Sequence, residues 1–91
     1  MNKADLVNEL KKKNQFTRQQ AETLVDLFFN SISDALANNE RVEIRGFGSI
    51  FVKDYKGYVG RNPKTGDLVQ VKSKRLPFFR CGKELKDRVD Q

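Results

Sequence analysis

"RVEIRGFGSI", residues Arg41 to Ile50, is where the chain changes its period. Val42 and Ile44 alternate with Arg41, Glu43 and Arg45, the period-2 signature of a half-buried strand. Gly46-Phe47-Gly48-Ser49 then makes a turn, and Ile50-Phe51-Val52 resumes extended structure. Upstream of Arg41 the apolar residues recur every three to four positions instead. The chain is therefore helical before this stretch and stranded after it, which makes an α+β domain.

The helical half starts with Ala4, Leu6, Val7 and Leu10, a short amphipathic helix that ends in favourable charge at Lys11-Lys12-Lys13. Thr17-Arg18-Gln19-Gln20 reads as a capping box, with Phe16 placed to staple onto the next turn. The long helix that follows carries Ala21, Leu24, Val25, Phe28, Ile32, Ala35 and Leu36 on one stripe, and Asn38-Asn39 closes it. Leu27 and Phe29 widen the stripe beyond what one short partner helix can cover. The surplus predicts a second surface to bury against, such as another subunit.

Downstream, extended structure carries on through Lys53, Tyr55 and Tyr58, turns over Gly60 to Asp67, and returns from Leu68 to Leu76. Pro77-Phe78-Phe79 is expected to interrupt this return, and Gly82 to Val89 reads as a short final helix with Leu85 and Val89 on one face. The expected order is helix, helix, three antiparallel strands, helix. It forms one domain over residues 1–91: a helical part at 1–40, a sheet at 41–80 with an arm at about 53–75, and a helix at 82–90. Along the arm, cations recur with too few large apolar residues to define a buried face. A ribbon without a core should stand off the body. Ten residues a side at ~3.3 Å each reach roughly 30 Å, enough to follow a groove of duplex DNA.

Ninety-one residues bury a modest core, so association with a second copy is expected. One cysteine, Cys81, and no histidine exclude an intrachain disulfide and a zinc site. No serine or cysteine has a histidine to activate it. Gly60 and Gly66 lack the lysine of a phosphate-binding loop, and Gly46-Phe47-Gly48 lacks the third glycine of a dinucleotide fingerprint. The expectation is a protein that is not an enzyme, needs no cofactor, and is soluble and cytoplasmic. The net charge is +6, and its distribution is uneven. Residues 1–45 hold seven cations and seven anions; residues 46–91 hold eleven cations and five anions. Between Val52 and Lys83 nine cations face only Asp54 and Asp67. A field of one sign on one segment attracts polyanions, although a solvated basic surface is the plainer alternative.

The arm ends in "GRNPKTGD", Gly60 to Asp67. A Pro-Lys-Thr-Gly turn with Gly66 at positive φ accounts for its shape. Its chemistry goes further. Pro63 is rigid, apolar at its ring and without an N–H, which suits a wedge between base steps. Arg61 and Asn62 suit the acceptors of the minor-groove floor, and Lys64 suits phosphate.

"IRGFGSI", "GRNPKTGD" and "GKELKDR" together resemble, in order and spacing, the bacterial HU and integration host factor family of DNA-bending proteins, from Met1 to Arg88. "RVEIRGFGS" is closer in look to the integration host factor beta subunit than to typical HU. The resemblance implies an intertwined dimer with Phe47, Phe79 and the long-helix stripe in a shared core. Two arms would hold the minor groove, each with Pro63 intercalated. It implies DNA-binding roles for Arg61, Asn62 and Lys64 at the tip. Lys53, Lys72, Lys74 and Arg75 fall on the basic arm, to which the charge reading adds Lys56. Lys3 and Lys83 fall on phosphate-contacting positions of the body, Lys83 at a helix start. Arg45 falls on a minor-groove position; pairing with Glu43 is its alternative role. Two departures stand out. Cys81 replaces the usual proline and is expected to be a small, semi-buried residue. Tyr55, Tyr58 and Val59 replace basic or small arm residues, to pack along sugar edges or against each other.

The resulting expectation is a dimeric, nucleoid-associated protein that bends double-stranded DNA, favouring A·T-rich or distorted sites with little base readout. A sequence-specific heterodimer subunit and an RNA-binding or protein-interaction module remain as alternatives.

Overall fold

The computed structural model describes residues 1–91. Helix α1 (Lys3–Lys13) begins on a reciprocal cap: Asn2 Oδ1 accepts from the Asp5 N–H at 2.9 Å, and Asp5 Oδ2 accepts from the Asn2 N–H at 3.0 Å. Helix α2 (Arg18–Ala37) starts with the expected box, Thr17 Oγ1 accepting from Gln20 N–H and Gln20 Oε1 accepting from Thr17 N–H. It ends at Asn38, whose N–H returns to Asp34 and Ala35. Asn39 then takes φ 62°, a left-handed conformation that asparagine tolerates better than most residues.

The two helices make an antiparallel pair around Val7, Ala21 and Val25, with Leu6, Leu10 and Phe16 packed at its border. These three are the only fully buried residues of the chain. Beyond them the α2 stripe lies open: Leu27 is 61 % and Phe28 51 % exposed. Leu24, Leu27, Phe28, Ser31, Ile32 and Val42 line an apolar groove between α2 and the sheet. Phe47 and Phe79, ring centroids 5.5 Å apart, extend this apolar surface and are likewise exposed.

The sheet contains β1 (Val42–Ile44), β2 (Gly48–Tyr55) and β5 (Lys74–Cys81), antiparallel and in the order β1-β2-β5. Between β2 and β5 the chain forms a separate two-stranded ribbon, β3 (Tyr58–Arg61) with β4 (Leu68–Val71). Helix α3 (Lys83–Val89) follows β5, its Gly82 cap donating to Phe47 O at 2.8 Å.

The strands differ from expectation in two places. Pro77 does not interrupt the last strand: β5 runs through it, pairing Pro77 with Val52. Strand β5 is an edge strand, so an imino nitrogen can face outward without removing a ladder bond. The arm, in turn, is not one continuous ribbon. The ladder stops after Tyr55↔Lys74 and restarts at Tyr58↔Val71, leaving Lys56-Gly57 and Lys72-Ser73 unpaired. The expected three-stranded antiparallel sheet is present, and the outer part of the arm is a separate two-stranded ribbon.

The arm dominates the shape. The radius of gyration is 19.0 Å and the extents are 59 × 33 × 28 Å. A compact chain of this length has a radius of gyration of about 12 Å.

Candidate nucleic-acid interface

Strand alternation sorts the root of the arm into two faces. The β2–β5 register places Phe51, Lys53 and Tyr55 on one face with Lys74, Leu76, Phe78 and Arg80. Ile50, Val52, Asp54, Arg75, Pro77 and Phe79 occupy the other. The second face is turned to α2: Val52 and Pro77 line a hollow together with Ser33, Leu36 and Ala37.

The first face carries cations seated on aromatic rings. Lys53 Nζ lies 4.6 Å from the Phe78 centroid, and Lys74 Nζ lies 6.0 Å from that of Tyr55. Arg41 Cζ lies 5.2 Å from the Phe51 centroid. A ring face attracts a cation without neutralising it, so the charges of Lys53 and Lys74 remain available to an anion, whereas Arg41 is also paired with Glu43. Arg41 and Arg80 extend this face and were missed from the sequence. Their signal was period-2 alternation, which assigns a face only once the partner strand's register is known.

Tyr55 lies opposite Lys74 and Tyr58 opposite Val71, so the two tyrosines do not stack on each other. The Tyr58 ring instead covers Gly60: a Cβ built there would be 3.3 Å from Tyr58 Cε2. Val59 and Leu68 are exposed alongside.

At the tip, Asn62 organises the turn. Its Oδ1 accepts from the Lys64 N–H at 2.9 Å, and its carbonyl accepts from the Gly66 N–H at 2.7 Å. The closing bond spans Asn62 to Gly66, one residue wider than a Pro-Lys-Thr-Gly β-turn. Gly66 takes φ 75° as expected. Arg61 Nη1 donates to Gly66 O at 3.2 Å, bracing the turn from the ribbon side. Pro63 is held between these bonds with its ring exposed. The Asn62 oxygen is used internally, which leaves its amide NH₂ as the group free to donate outward.

The chain has four ion pairs: Lys3–Asp26, Arg18–Glu22, Arg41–Glu43 and Arg75–Asp54. Of the expected DNA-binding cations, Lys3 and Arg75 are thus engaged. Arg45, Lys53, Lys56, Arg61, Lys64, Lys72, Lys74 and Lys83 have no carboxylate partner. Glu43 pairs with Arg41 at 2.8 Å, and Arg45 makes no ion pair with it in this structure. The Lys3 ammonium is held above its ordinary pKa, first by its hydrogen bond to Asp26 and then by that carboxylate's charge.

These groups do not form one cluster. Lys53 and Lys74 lie at the arm root, and Lys56 and Lys72 at the break in the ladder. Arg61, Asn62, Pro63 and Lys64 make up the tip. The Gly82–Phe47 hydrogen bond brings Lys83, at the first position of α3, to the turn that carries Arg45. Lys3 lies at the start of α1. Cys81, expected to be half-buried, is exposed at the end of edge strand β5.

Solved structures share this architecture. The Anabaena HU–DNA cocrystal structure is 32% identical, covers 98% of this chain and 97% of its own, and superposes with a TM-score of 0.87. HU from Thermotoga maritima is 29% identical over 98% of each chain, with a TM-score of 0.69. A mutant of transcription factor 1, solved in solution, shares the fold at 21% identity and a TM-score of 0.67, covering 99% of this chain and 91% of its own. Residues 1–90 match the family described as "Bacterial DNA-binding protein". With nearly its whole length matched, the chain belongs to that bacterial DNA-binding protein family.

Proposed function

We propose that two copies of this chain form an architectural protein that bends duplex DNA, laying one arm from each copy in the minor groove and inserting Pro63 between base steps. The observation that carries the reading is the tip: an exposed, rigid apolar ring fixed by Asn62, at the end of a projecting ribbon whose cations, Arg75 apart, have no internal carboxylate. Unstacking a step costs a few kcal/mol and is offset when the bent duplex meets more protein surface. Arg61 and the Asn62 amide supply donors to the minor groove. Lys53, Lys56, Lys64, Lys72, Lys74 and Lys83 supply phosphate contacts, and Arg45 sits where the body meets the duplex. Readout of this kind favours A·T-rich or easily deformed DNA over a fixed sequence. In the cell such a protein serves nucleoid compaction and the assembly of bent DNA complexes.

The second copy follows from the exposed apolar surface. A chain with three buried residues has only a marginal core of its own, and the α2 stripe with Phe47 and Phe79 is the surface a partner would cover.

Ring closure of a short duplex tests the proposal. The protein is expected to accelerate circularisation, and Pro63→Ala to retain much of the binding while losing most of the acceleration. Equal circularisation by the two proteins would remove the wedge; no acceleration by the unaltered protein would remove the bending role.

A further inference from the structure

Arg75 stands among the arm's cations in sequence but not in space. It lies in register opposite Asp54, one position inside Tyr55↔Lys74, where the β2–β5 ladder ends. Alternation turns it to the face that meets α2, away from Lys53 and Lys74. There its guanidinium bridges two partners. Nη2 donates to Asn39 Oδ1 at 3.0 Å, and Nε lies 3.5 Å from Asp54 Oδ1. Asn39 is the residue just past the end of α2, held at φ 62°. The Asn39–Arg75 bond spans 36 positions and is the only side-chain hydrogen bond between the helices and the arm. Beyond this point the ribbon has two unpaired residues on each side and no core to lean on.

We propose that Arg75 is a positioning residue: with Asn39 and Asp54 it forms a clamp that fixes the angle at which the arm leaves the helical body. A planar fork suits the task, since its separate N–H groups can engage two acceptors at once. The clamp acts where leverage is greatest. A small rotation at the arm root is carried along the whole arm to Pro63. Its contribution is to hold the arms near the spacing a duplex requires, so that less freedom is lost on binding. Arg75 then acts on DNA through the arm's direction and not as a phosphate ligand.

Asn39→Gly separates the two roles. Glycine accepts the left-handed φ, removes the acceptor and changes no charge. In the free protein, backbone ¹⁵N relaxation is expected to show lower order parameters across 53–75 in Asn39→Gly and Arg75→Gln, and in the pair no further loss. Asn39→Asp, which keeps an acceptor for Arg75, is expected to retain arm order. These measurements need no DNA and stand even if the bending reading fails. The second readout rests on that reading. Asn39→Gly and Arg75→Gln should each bind duplex about two- to fivefold more weakly, the size of an exposed polar interaction, with an unchanged slope of log K against log salt. Unaltered arm order in Asn39→Gly would overturn the clamp. So would a slope lowered in Arg75→Gln by about 1 for each copy's phosphate that the side chain had neutralised.

Discussion

Lys3 and Asp26 tie the start of α1 to the middle of α2 through an ion pair on the surface. A phosphate that recruits Lys3 therefore competes with Asp26 for its ammonium. Replacing Asp26 with Asn removes both the competitor and a negative charge, and is expected to tighten duplex binding a few-fold at low salt, with the gain shrinking as salt rises. Titrations of the two proteins at two salt concentrations check this. Because the folded-state pKa of Lys3 is raised, the pair's contribution to stability is fully present below the unfolded lysine value and lost only as pH rises through the folded one. The difference in urea midpoint between Asp26→Asn and the unaltered protein should accordingly stay constant from pH 6 to about 9, near but below the ordinary lysine value of about 10.4. A difference that shrinks within that window would count against the pair.

Dimerisation makes a prediction at Phe28. Its ring is half-exposed on the α2 stripe, edge-on to Phe29 at 5.2 Å between centroids, and nothing in the single chain covers it. Phe28→Glu places a charge where the partner must pack. Sedimentation should then show a shift to single chains, with a melting temperature well below that of the parent. The parent's own melting temperature should rise with protein concentration, as expected when folding and association are linked.

Two glycines separate close packing from backbone conformation. A Cβ on Gly48 would lie 2.5 Å from Arg80 O and 2.8 Å from the Phe79 ring, both fixed in the sheet. Gly48→Ala should cost about 1–3 kcal/mol, as other overpacking changes do. Gly66 has nothing within 4 Å but sits at φ 75°. Gly66→Ala should cost about 1 kcal/mol locally, by backbone strain alone. Since the tip lies far from the core, the expected result is a clear fall in thermal midpoint for Gly48→Ala and almost none for Gly66→Ala, with altered DNA bending only in the second.

Much of this was legible in the sequence because it is local. The Thr17–Gln20 box, the α2 stripe and the Gly60–Asp67 turn each follow from residues a few positions apart. The Asn2–Asp5 cap was equally local and went unread, because Asn-x-x-Asp lies outside the usual Ser/Thr-x-x-Glu/Gln form. Pro77 was misread for a different reason: whether proline breaks a strand depends on whether the strand is at an edge, which is a property of the sheet. Arg75 shows the same limit. Its neighbours Lys72 and Lys74 made it look like one more arm cation, and only the pairing with Asp54 reveals that it faces α2.

Salt dependence gives the most direct test of how the arm binds. Lys53 and Lys74 sit over rings, while Lys56, Lys64, Lys72 and Lys83 have neither carboxylate nor ring. None of the six is neutralised within the protein, so each phosphate they engage should release counterions. If a dimer engages about six to ten phosphates, affinity should fall roughly 10³–10⁵-fold between 50 and 200 mM salt. Removing one arm cation, as in Lys72→Gln, should reduce the slope by about 1 for each phosphate left without its lysine, while weakening all duplex sequences alike. Pro63→Ala should instead leave the slope almost unchanged, because a wedge displaces no counterions. A Pro63 variant whose slope fell like that of Lys72→Gln would show the tip acting through phosphates, and would remove the reason for placing a proline there.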